Sequence, residues 1–251
     1  MVFLKGIRLN AKEGIDRKHY PFNIPALRDF KELSFESPVT IFVGENGMGK
    51  STLIEAIAIA MNFNPEGGTA NFNFSTSDSH SELCNHLITI RGSKRNRDGF
   101  FLRAESFYNT ISYMDTVNDT GRNIYDYYGG KRLHEVSHGE GFLNMLNHRC
   151  RGNSFFIFDE PEAALSPFSQ IKMLARMHQL VKEDSQFIIS THSPILMAYP
   201  GATIYQLTEN GIHQTDYDKT EHYMLMKYFL NNTDQYLKDI GIDDAESVTS
   251  Q

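Results

Sequence analysis

The sequence predicts an α/β fold built on a mainly parallel sheet. Short apolar runs, rich in β-branched and aromatic residues, have the length and composition of strands that are buried on both faces. These runs alternate with longer stretches of helix-forming residues, which is the order that joins parallel strands through helices. A glycine-rich loop connects one such strand directly to one such helix.

The first half of the chain contains most of the predicted strands. An alternating run opens it, a fully apolar run precedes the glycine-rich loop, and good helix formers follow that loop. Two further apolar runs flank the charged turn SKRNRD, and together they have the pattern of a hairpin. Strands are therefore predicted over residues 2–10, 39–43, 86–92 and 99–107, a helix over 52–61, and a loop-rich insert over 106–132.

The second half alternates buried strands with helices. A strand over residues 154–160 ends in two acids, and a helix follows it, because Ser166 can cap that helix and Pro167 suits its first position. A hairpin is expected to turn at Asn210–Gly211. The remaining predicted elements are a strand over 186–191 and helices over 139–148, 221–231 and 234–240.

Composition limits the class of protein. The net charge is −7, the two cysteines are Cys84 and Cys150, and no apolar run reaches the ~20 residues that a membrane helix needs. These features argue against a membrane-spanning or disulfide-stabilised secreted protein and favour a cytoplasmic location. We expect one domain over residues 1–240, with a lobe inserted at about 105–150 and a flexible acidic tail over 241–251.

The glycine-rich stretch GENGMGKST has the pattern G-x-x-x-x-G-K-[ST] between a predicted strand and a predicted helix. Its glycines allow backbone N–H groups to point inward and form an anion site at the helix N-terminus. Lys50 is expected to reach the β- and γ-phosphates of a nucleotide, Ser51 to ligate Mg²⁺, and Thr52 to cap the helix. The predicted nucleotide-binding residues are Gly44, Glu45, Asn46, Gly47, Met48, Gly49, Lys50, Ser51 and Thr52. The alternative is a glycine-rich turn that arose by chance.

Two acids end the strand SFFIFDE. Asp159 can hold the Mg²⁺ shell through water, and Glu160 can act as the general base for an attacking water molecule. The alternative is a pair of acids at the end of an edge strand, which leaves unexplained why they follow four apolar residues and precede Pro161.

The motifs GENGMGKST, FFIFDEPEAALSP and STHSP together resemble those of the ATP-binding-cassette (ABC) ATPases. Within that class the chain is similar to small, soluble, stand-alone members with a Ser-His-Gly-Glu signature. The resemblance implies a P-loop NTPase core, an antiparallel β lobe and a short, loop-rich or helical signature lobe. It also implies ATP hydrolysis, with ATP and Mg²⁺ as cofactors and an ATP-dependent homodimer as the working state.

The same resemblance implies roles for the signature EVSHGEGF. Ser137 and Gly139 match the serine and second glycine that cap the γ-phosphate of ATP bound to the opposite subunit. His138 and Glu140 depart from the class pattern, and Glu140 brings a negative charge close to a phosphate. His192 in STHSP matches the switch histidine, and is therefore a second candidate catalytic residue beside Glu160.

Further positions are less fully specified by the resemblance. Where the class has a metal-sensing glutamine, Glu105 is the candidate substitute, and a surface acid beside Arg103 is the alternative. Ser166 replaces the class aspartate at the dimer interface. Tyr20 and Phe22 could stack on the adenine ring, or pack in the core.

Three functions are compatible with these motifs. The first is a nucleotide-driven dimerisation switch. The second is the ATPase of a DNA-sensing or anti-phage ATPase–nuclease pair, and the third is the energy-coupling subunit of an importer. DNA binding would use one basic turn with two neighbouring aromatics, for which a solvated hairpin tip is the alternative: Arg91, Lys94, Arg95, Arg97, Phe100 and Phe101.

Overall fold

The computed structural model describes residues 2–10, 14–65, 67–68, 81–103 and 138–242. Two candidate site residues, Ser137 and Glu105, lie outside these ranges. The predicted insert over 106–132 and the tail from residue 243 onward also lie outside them.

The described residues form strands and helices in alternation. The strands are β1 (Leu4–Leu9), β2 (Glu32–Ser34), β3 (Val39–Val43), β4 (Leu87–Arg91), β5 (Asp98–Arg103), β6 (Ser154–Asp159), β7 (Gln186–Ser190), β8 (Thr203–Thr208) and β9 (Gly211–Thr215). The helices are α1 (Pro25–Arg28), α2 (Lys50–Ala60), α3 (His138–Asn144), α4 (Pro167–Lys182), α5 (Pro194–Met197), α6 (Glu221–Asn231) and α7 (Thr233–Asp239). A π-helical turn, Met145–Arg149, continues α3, and the predicted N-cap Ser166 accepts a hydrogen bond from the N–H of Ser169.

The larger sheet has the strand order β5-β6-β7-β3-β8-β9 and is parallel except for the β8–β9 hairpin. Its central strands β3, β6 and β7 are buried along their whole length, which explains their continuous apolar sequences. The predicted α/β class with a mainly parallel sheet is therefore confirmed. The carboxyl ends of these three strands meet at one edge, where ligand sites form in open α/β sheets.

A smaller antiparallel sheet has the order β2-β1-β4. The predicted hairpin between β4 and β5 is wrong, because β4 pairs with β1 and β5 pairs with β6. The four central residues of β5 are buried, whereas none of the five residues of β4 is. The two apolar faces of β5 are buried at the edge of the large sheet, and the charged turn crosses between the two sheets.

Two apolar cores lie on opposite faces of the larger sheet. Alternate residues of β6 contribute to them: Phe156 and Phe158 pack on the side of α3 and α4, and Phe155 and Ile157 on the side of α2. This alternation is the two-residue period of an extended strand. Helices therefore cover both faces of the sheet. This packing holds the strand ends from which the loops begin.

Candidate active site

The loop between β3 and α2 closes around its own lysine. Nζ of Lys50 donates hydrogen bonds to the carbonyl oxygens of Gly44, at 2.8 Å, and Glu45, at 3.1 Å. Gly49 is the N-cap of α2 in a left-handed conformation, with φ at 90°, and no side chain caps the helix. The prediction that Thr52 caps α2 is therefore wrong, and its hydroxyl instead lies 3.3 Å from the Tyr20 hydroxyl.

Two glycines of the loop are required by their surroundings. At Gly44, where φ is +146°, a Cβ atom would lie 2.4 Å from the carbonyl oxygen of Leu207. At Gly49 a Cβ atom would lie 3.0 Å from Ile24. Side chains at these positions would force the loop away from its neighbours, so the tight curve of the backbone depends on glycine.

The ammonium group of Lys50 is largely buried from solvent. The residue is 4% exposed, and its burial lowers the pKa, while the carboxylates of Glu160 and Asp159 oppose that shift. A buried cation at a helix N-terminus is an arrangement that attracts phosphate oxygens. The structure thus places Lys50 at the end of α2 where the phosphates were predicted to bind.

Asp159 ends β6 directly opposite the start of α2. Its Oδ1 atom accepts hydrogen bonds from the hydroxyls of Ser51, at 3.2 Å, and Ser190. Burial raises the pKa of Asp159, and these hydrogen bonds and the charge of Arg103 act in the opposite direction. A hydroxyl and a carboxylate at this separation suit Mg²⁺, which takes few protein oxygens and completes its shell with water and phosphate. The described residues contain no cluster of three or more His, Cys, Asp and Glu side chains for a metal, and Mg²⁺ needs none.

Arg103 is a site residue that sequence reasoning missed. Its guanidinium makes a 2.6 Å ion pair with Glu55 of α2, and its Nε lies 3.9 Å from Oδ2 of Asp159. The signal that could have found it is its position as the last residue of a strand parallel to β6. The predicted substitute for the class glutamine, Glu105, follows two residues later and lies outside the described residues.

Glu160 and His192 follow the ends of β6 and β7 and face one another. Oε1 of Glu160 lies 3.4 Å from Nε2 of His192, and their side chains are 39% and 27% exposed. The backbone of Glu160 is left-handed, with φ at 50° and ψ at 52°, and its N–H donates to the Ser190 hydroxyl at 3.2 Å. This sharp turn after β6 directs the carboxylate toward the loop instead of along the strand.

Two further residues hold His192. Its backbone N–H donates to Oε1 of Glu162 at 2.5 Å, and its Nδ1 lies 2.9 Å from Nε2 of His222 in α6. Burial raises the pKa of Glu162, whereas burial and the charge of Lys50 lower the pKa of His192. Neither Glu162 nor His222 was predicted as a site residue, since both act on His192 through contacts that the local sequence does not show.

A cleft of about 330 Å³ lies over the glycine-rich loop. The residues that line it are Tyr20, Ile24, Asn46, Gly47, Gly49, Lys50, Ser51, Thr52 and Glu160. Tyr20 is 59% exposed at its rim, while Phe22 is buried against His86 and is not available to a ligand. Of the other predicted loop residues, Glu45 is exposed and Met48 packs against the core.

The start of α3 packs on the turn that follows Glu160. A Cβ atom on Gly139 would lie 2.8 Å from the carbonyl oxygen of Ala164, so the helix packs closely on the turn after Glu160. Glu140 is exposed, and Ser166 uses its hydroxyl to cap α4. No residue of α3 is among the described residues that line the cleft.

The basic turn provides only half of the predicted nucleic-acid site. Arg91, Lys94, Arg95 and Arg97 are exposed, as expected for a basic patch. Phe100 and Phe101 are 1% and 0% exposed, because both belong to the interior of β5. These rings are therefore not available to stack on bases.

A family model described as an AAA domain matches residues 21–186. An uncharacterised ABC transporter ATP-binding protein of Haemophilus influenzae is 23% identical over 197 residues, which cover 72% of this chain and 74% of that protein.

Solved structures with a similar chain course include two from bacteria. The first is cbiO1 from Clostridium perfringens, part of the ABC transporter complex cbiONQ, with 15% identity, a TM-score of 0.49, and coverage of 95% of this chain and 100% of that one. The second is the SMC head domain from Thermotoga maritima, with 17% identity, a TM-score of 0.46, and coverage of 85% and 99%. In the part of this chain that the structure describes, every helix is too short or too polar to cross a bilayer.

Proposed function

Since the chain belongs to the AAA-domain family of P-loop ATPases, we propose that its binding and hydrolysis of ATP drive the closing and opening of a two-fold dimer. One observation carries the proposal. The described cleft is lined by the loop before α2, the start of α2 and Glu160, and the side chains of Glu160 and His192 remain partly exposed. A second chain can complete such a half-site.

Each chain holds the nucleotide through the residues at the start of α2. Backbone amides of Gly44–Thr52 bind the phosphates, Lys50 moves from its carbonyl partners to the β- and γ-phosphates, and Tyr20 stacks on the adenine ring. Ser51 and Asp159 would hold Mg²⁺, with Glu105 as a further candidate ligand. Bound there, Mg²⁺ would neutralise charge on the phosphates.

Glu160 accepts the proton of the attacking water while the water oxygen forms a bond to the γ-phosphorus. The bond from the γ-phosphorus to the bridging oxygen breaks, and ADP and phosphate result. His192 donates its Nε2–H toward the γ-phosphate and keeps the Glu160 carboxylate in place. Burial and the charge of Lys50 lower the pKa of His192, which favours its neutral form.

The segment from Ser137 to Gly139 of the second chain closes the γ-phosphate site. A serine hydroxyl and backbone amides near a helix start can contact phosphate oxygens. Loss of the γ-phosphate removes this contact between the chains, and the dimer opens. His138 and Glu140 flank Gly139, so both belong to the segment that this proposal places at the γ-phosphate.

The Glu160→Gln variant tests the base and the switch together. It keeps the size of the side chain and removes the proton acceptor, so turnover is expected to fall at least about a hundredfold. With ATP and Mg²⁺ it should elute as a dimer in size-exclusion chromatography, and with ADP as a monomer. Glu32→Gln, on the exposed side of β2, is the matched control and should behave as the wild type. Normal turnover by Glu160→Gln would refute the assignment of the base.

Mixing two inactive chains tests the shared site. Lys50→Ala removes the phosphate lysine of one chain, and Ser137→Arg blocks the segment that closes the site of the other. In a heterodimer one of the two sites retains both intact halves, so an equal mixture should regain about a quarter of wild-type turnover. A site completed within one chain predicts no recovery, and that result would refute the dimer.

A further inference from the structure

His222 contacts the candidate catalytic histidine from a helix near the end of the described chain. It is the second residue of α6, and its ring meets that of His192 nearly edge-on, with 5.0 Å between centroids. The start of α6 is fixed by the buried Thr220, whose hydroxyl donates to the Tyr217 carbonyl at 2.8 Å and accepts from the Tyr223 N–H. The position of the His222 ring is therefore set by a capped helix.

The space around this pair is mostly apolar. A cleft of about 270 Å³ beside both histidines is lined by Pro194, Leu225, Met226, Phe229 and Tyr236. Nδ1 of His192 is 2.9 Å from Nε2 of His222. Among the described residues, His222 is thus the group that can satisfy this nitrogen.

The surroundings of Nε2, the other ring nitrogen of His192, decide which nitrogen carries the proton. Nε2 is buried, makes no hydrogen bond with a described residue, and lies 3.4 Å from Oε1 of Glu160. If Nε2 were unprotonated, its lone pair would face a carboxylate oxygen, which is electrostatically unfavourable. The proton therefore belongs on Nε2. A neutral imidazole then has an acceptor at Nδ1, and the hydrogen in the 2.9 Å contact comes from His222.

We propose that His222 is a positioning residue that donates its Nε2–H to Nδ1 of His192 and thereby fixes the tautomer that presents Nε2–H at the γ-phosphate site. The inference rests on the proposed function of His192. It extends that function by making the state of the catalytic histidine depend on the position of α6. The same logic operates in metal sites and in catalytic triads, where a second group fixes the tautomer of a histidine.

Long-range ¹H–¹⁵N correlation spectra of the imidazole rings test the tautomer without any measurement of activity. In the wild type the proton of His192 is expected on Nε2. In His222→Phe, which has a similar helix propensity but no donor, the His192 signals should shift toward a mixture of tautomers. A wild-type His192 that carries its proton on Nδ1 would overturn the proposal, as would an unchanged spectrum in His222→Phe.

Turnover measurements test the consequence. His222→Phe should lower kcat about tenfold and leave the KM for ATP within about twofold, since Lys50 and the loop amides hold the nucleotide. His222→Gln places an amide N–H where the imidazole has Nε2–H, and should retain kcat within about threefold. His213→Phe, on the exposed side of β9, is the matched control and should leave turnover unchanged. Equal losses in His222→Gln and His222→Phe would overturn the role as donor.

A double variant separates this inference from the function on which it rests. If His222 acts through His192, adding His222→Phe to His192→Ala should cause no further loss of kcat. A further loss would overturn the proposal. If His192→Ala alone keeps wild-type turnover, the proposed catalytic role of His192 fails, while the spectra still decide which ring nitrogen carries the proton.

Discussion

Arg103 and Asp159 are register partners at the ends of two parallel strands, and Nε of Arg103 lies 3.9 Å from Oδ2 of Asp159. The same guanidinium makes a 2.6 Å ion pair with Glu55 on α2, so it joins the helix that begins at the phosphate loop to the carboxylate proposed to hold Mg²⁺. Burial raises the pKa of Asp159, and the positive charge of Arg103 partly offsets that shift. The arginine therefore favours the ionised form that a metal requires.

Replacing Arg103 should lower the affinity for Mg²⁺ more than it lowers the stability of the fold. In Arg103→Gln the pKa of Asp159 should rise further, and the Mg²⁺ concentration for half-maximal ATP turnover should increase about fivefold, as the loss of one partly buried charge contact suggests. Arg103→Lys keeps the charge and should show a smaller change. A Mg²⁺ titration of turnover measures both. Identical titrations of Arg103→Gln and the wild type would show that Arg103 does not act on Asp159.

The left-handed backbone at Glu160 predicts that two inactive variants differ in stability. A non-glycine residue at a φ of 50° is strained, and asparagine tolerates this conformation better than glutamine or glutamate. Glu160→Asn should therefore be more stable than Glu160→Gln by about 0.5–1 kcal/mol, although both lack the base and neither should turn over ATP. Urea unfolding of the two variants checks the difference. Equal stabilities would mean that the left-handed conformation at this position does not favour asparagine over glutamine.

Glu162 should make stability depend on pH. Burial raises its pKa above the ordinary value of 4.5, so in the window above pH 4.5 the folded chain retains a proton that the unfolded chain has lost. Its contribution to stability is therefore present below pH 4.5 and is lost as the pH rises through the raised pKa. Glu162→Gln should flatten this fall, and gain on the order of 1 kcal/mol at pH 7.

Unfolding at several pH values between 4 and 8 measures this effect. Glu162→Gln keeps an oxygen for the backbone N–H of His192, so it should retain most turnover, whereas Glu162→Ala removes that acceptor and should not. If the stability curves of Glu162→Gln and the wild type run parallel, Glu162 does not titrate in this window.

Tyr20 should contribute to nucleotide affinity through its ring. It stands at the rim of the cleft, and its hydroxyl lies 3.3 Å from the Thr52 hydroxyl. Tyr20→Ala should raise the KM for ATP about tenfold with little change in kcat, because stacking on a base contributes about 1–3 kcal/mol. Tyr20→Phe keeps the ring and is the matched control. An unchanged KM in Tyr20→Ala would place the adenine elsewhere.

The parts of the site that sequence reasoning predicted are those in which function follows from local geometry. A loop of three glycines and a lysine between a strand and a helix can be interpreted from its spacing alone, and Asp159 and Glu160 are marked by the apolar run before them. His192 also follows a buried strand. Their positions at one edge of the sheet follow from the rule that parallel strands end together.

The parts that sequence reasoning missed depend on contacts between distant segments. The turn between β4 and β5 has the charge and length of a hairpin tip, yet the two strands join different sheets, since burial of β5 outweighs the pairing of neighbours in sequence. Glu55 and Arg103 are 48 residues apart, and His192 and His222 are 30 apart. No local period or spacing marks such pairs.

The sequence by itself determined which residues carry charge, which strands are buried and where the backbone must turn, because these depend on side-chain chemistry and on short-range sterics. Only the tertiary structure decided which buried strands pair and which side chains meet beside Asp159 and His192. Those pairings depend on how the two apolar faces of the large sheet are covered, and that packing is a property of the whole chain, not of any one segment.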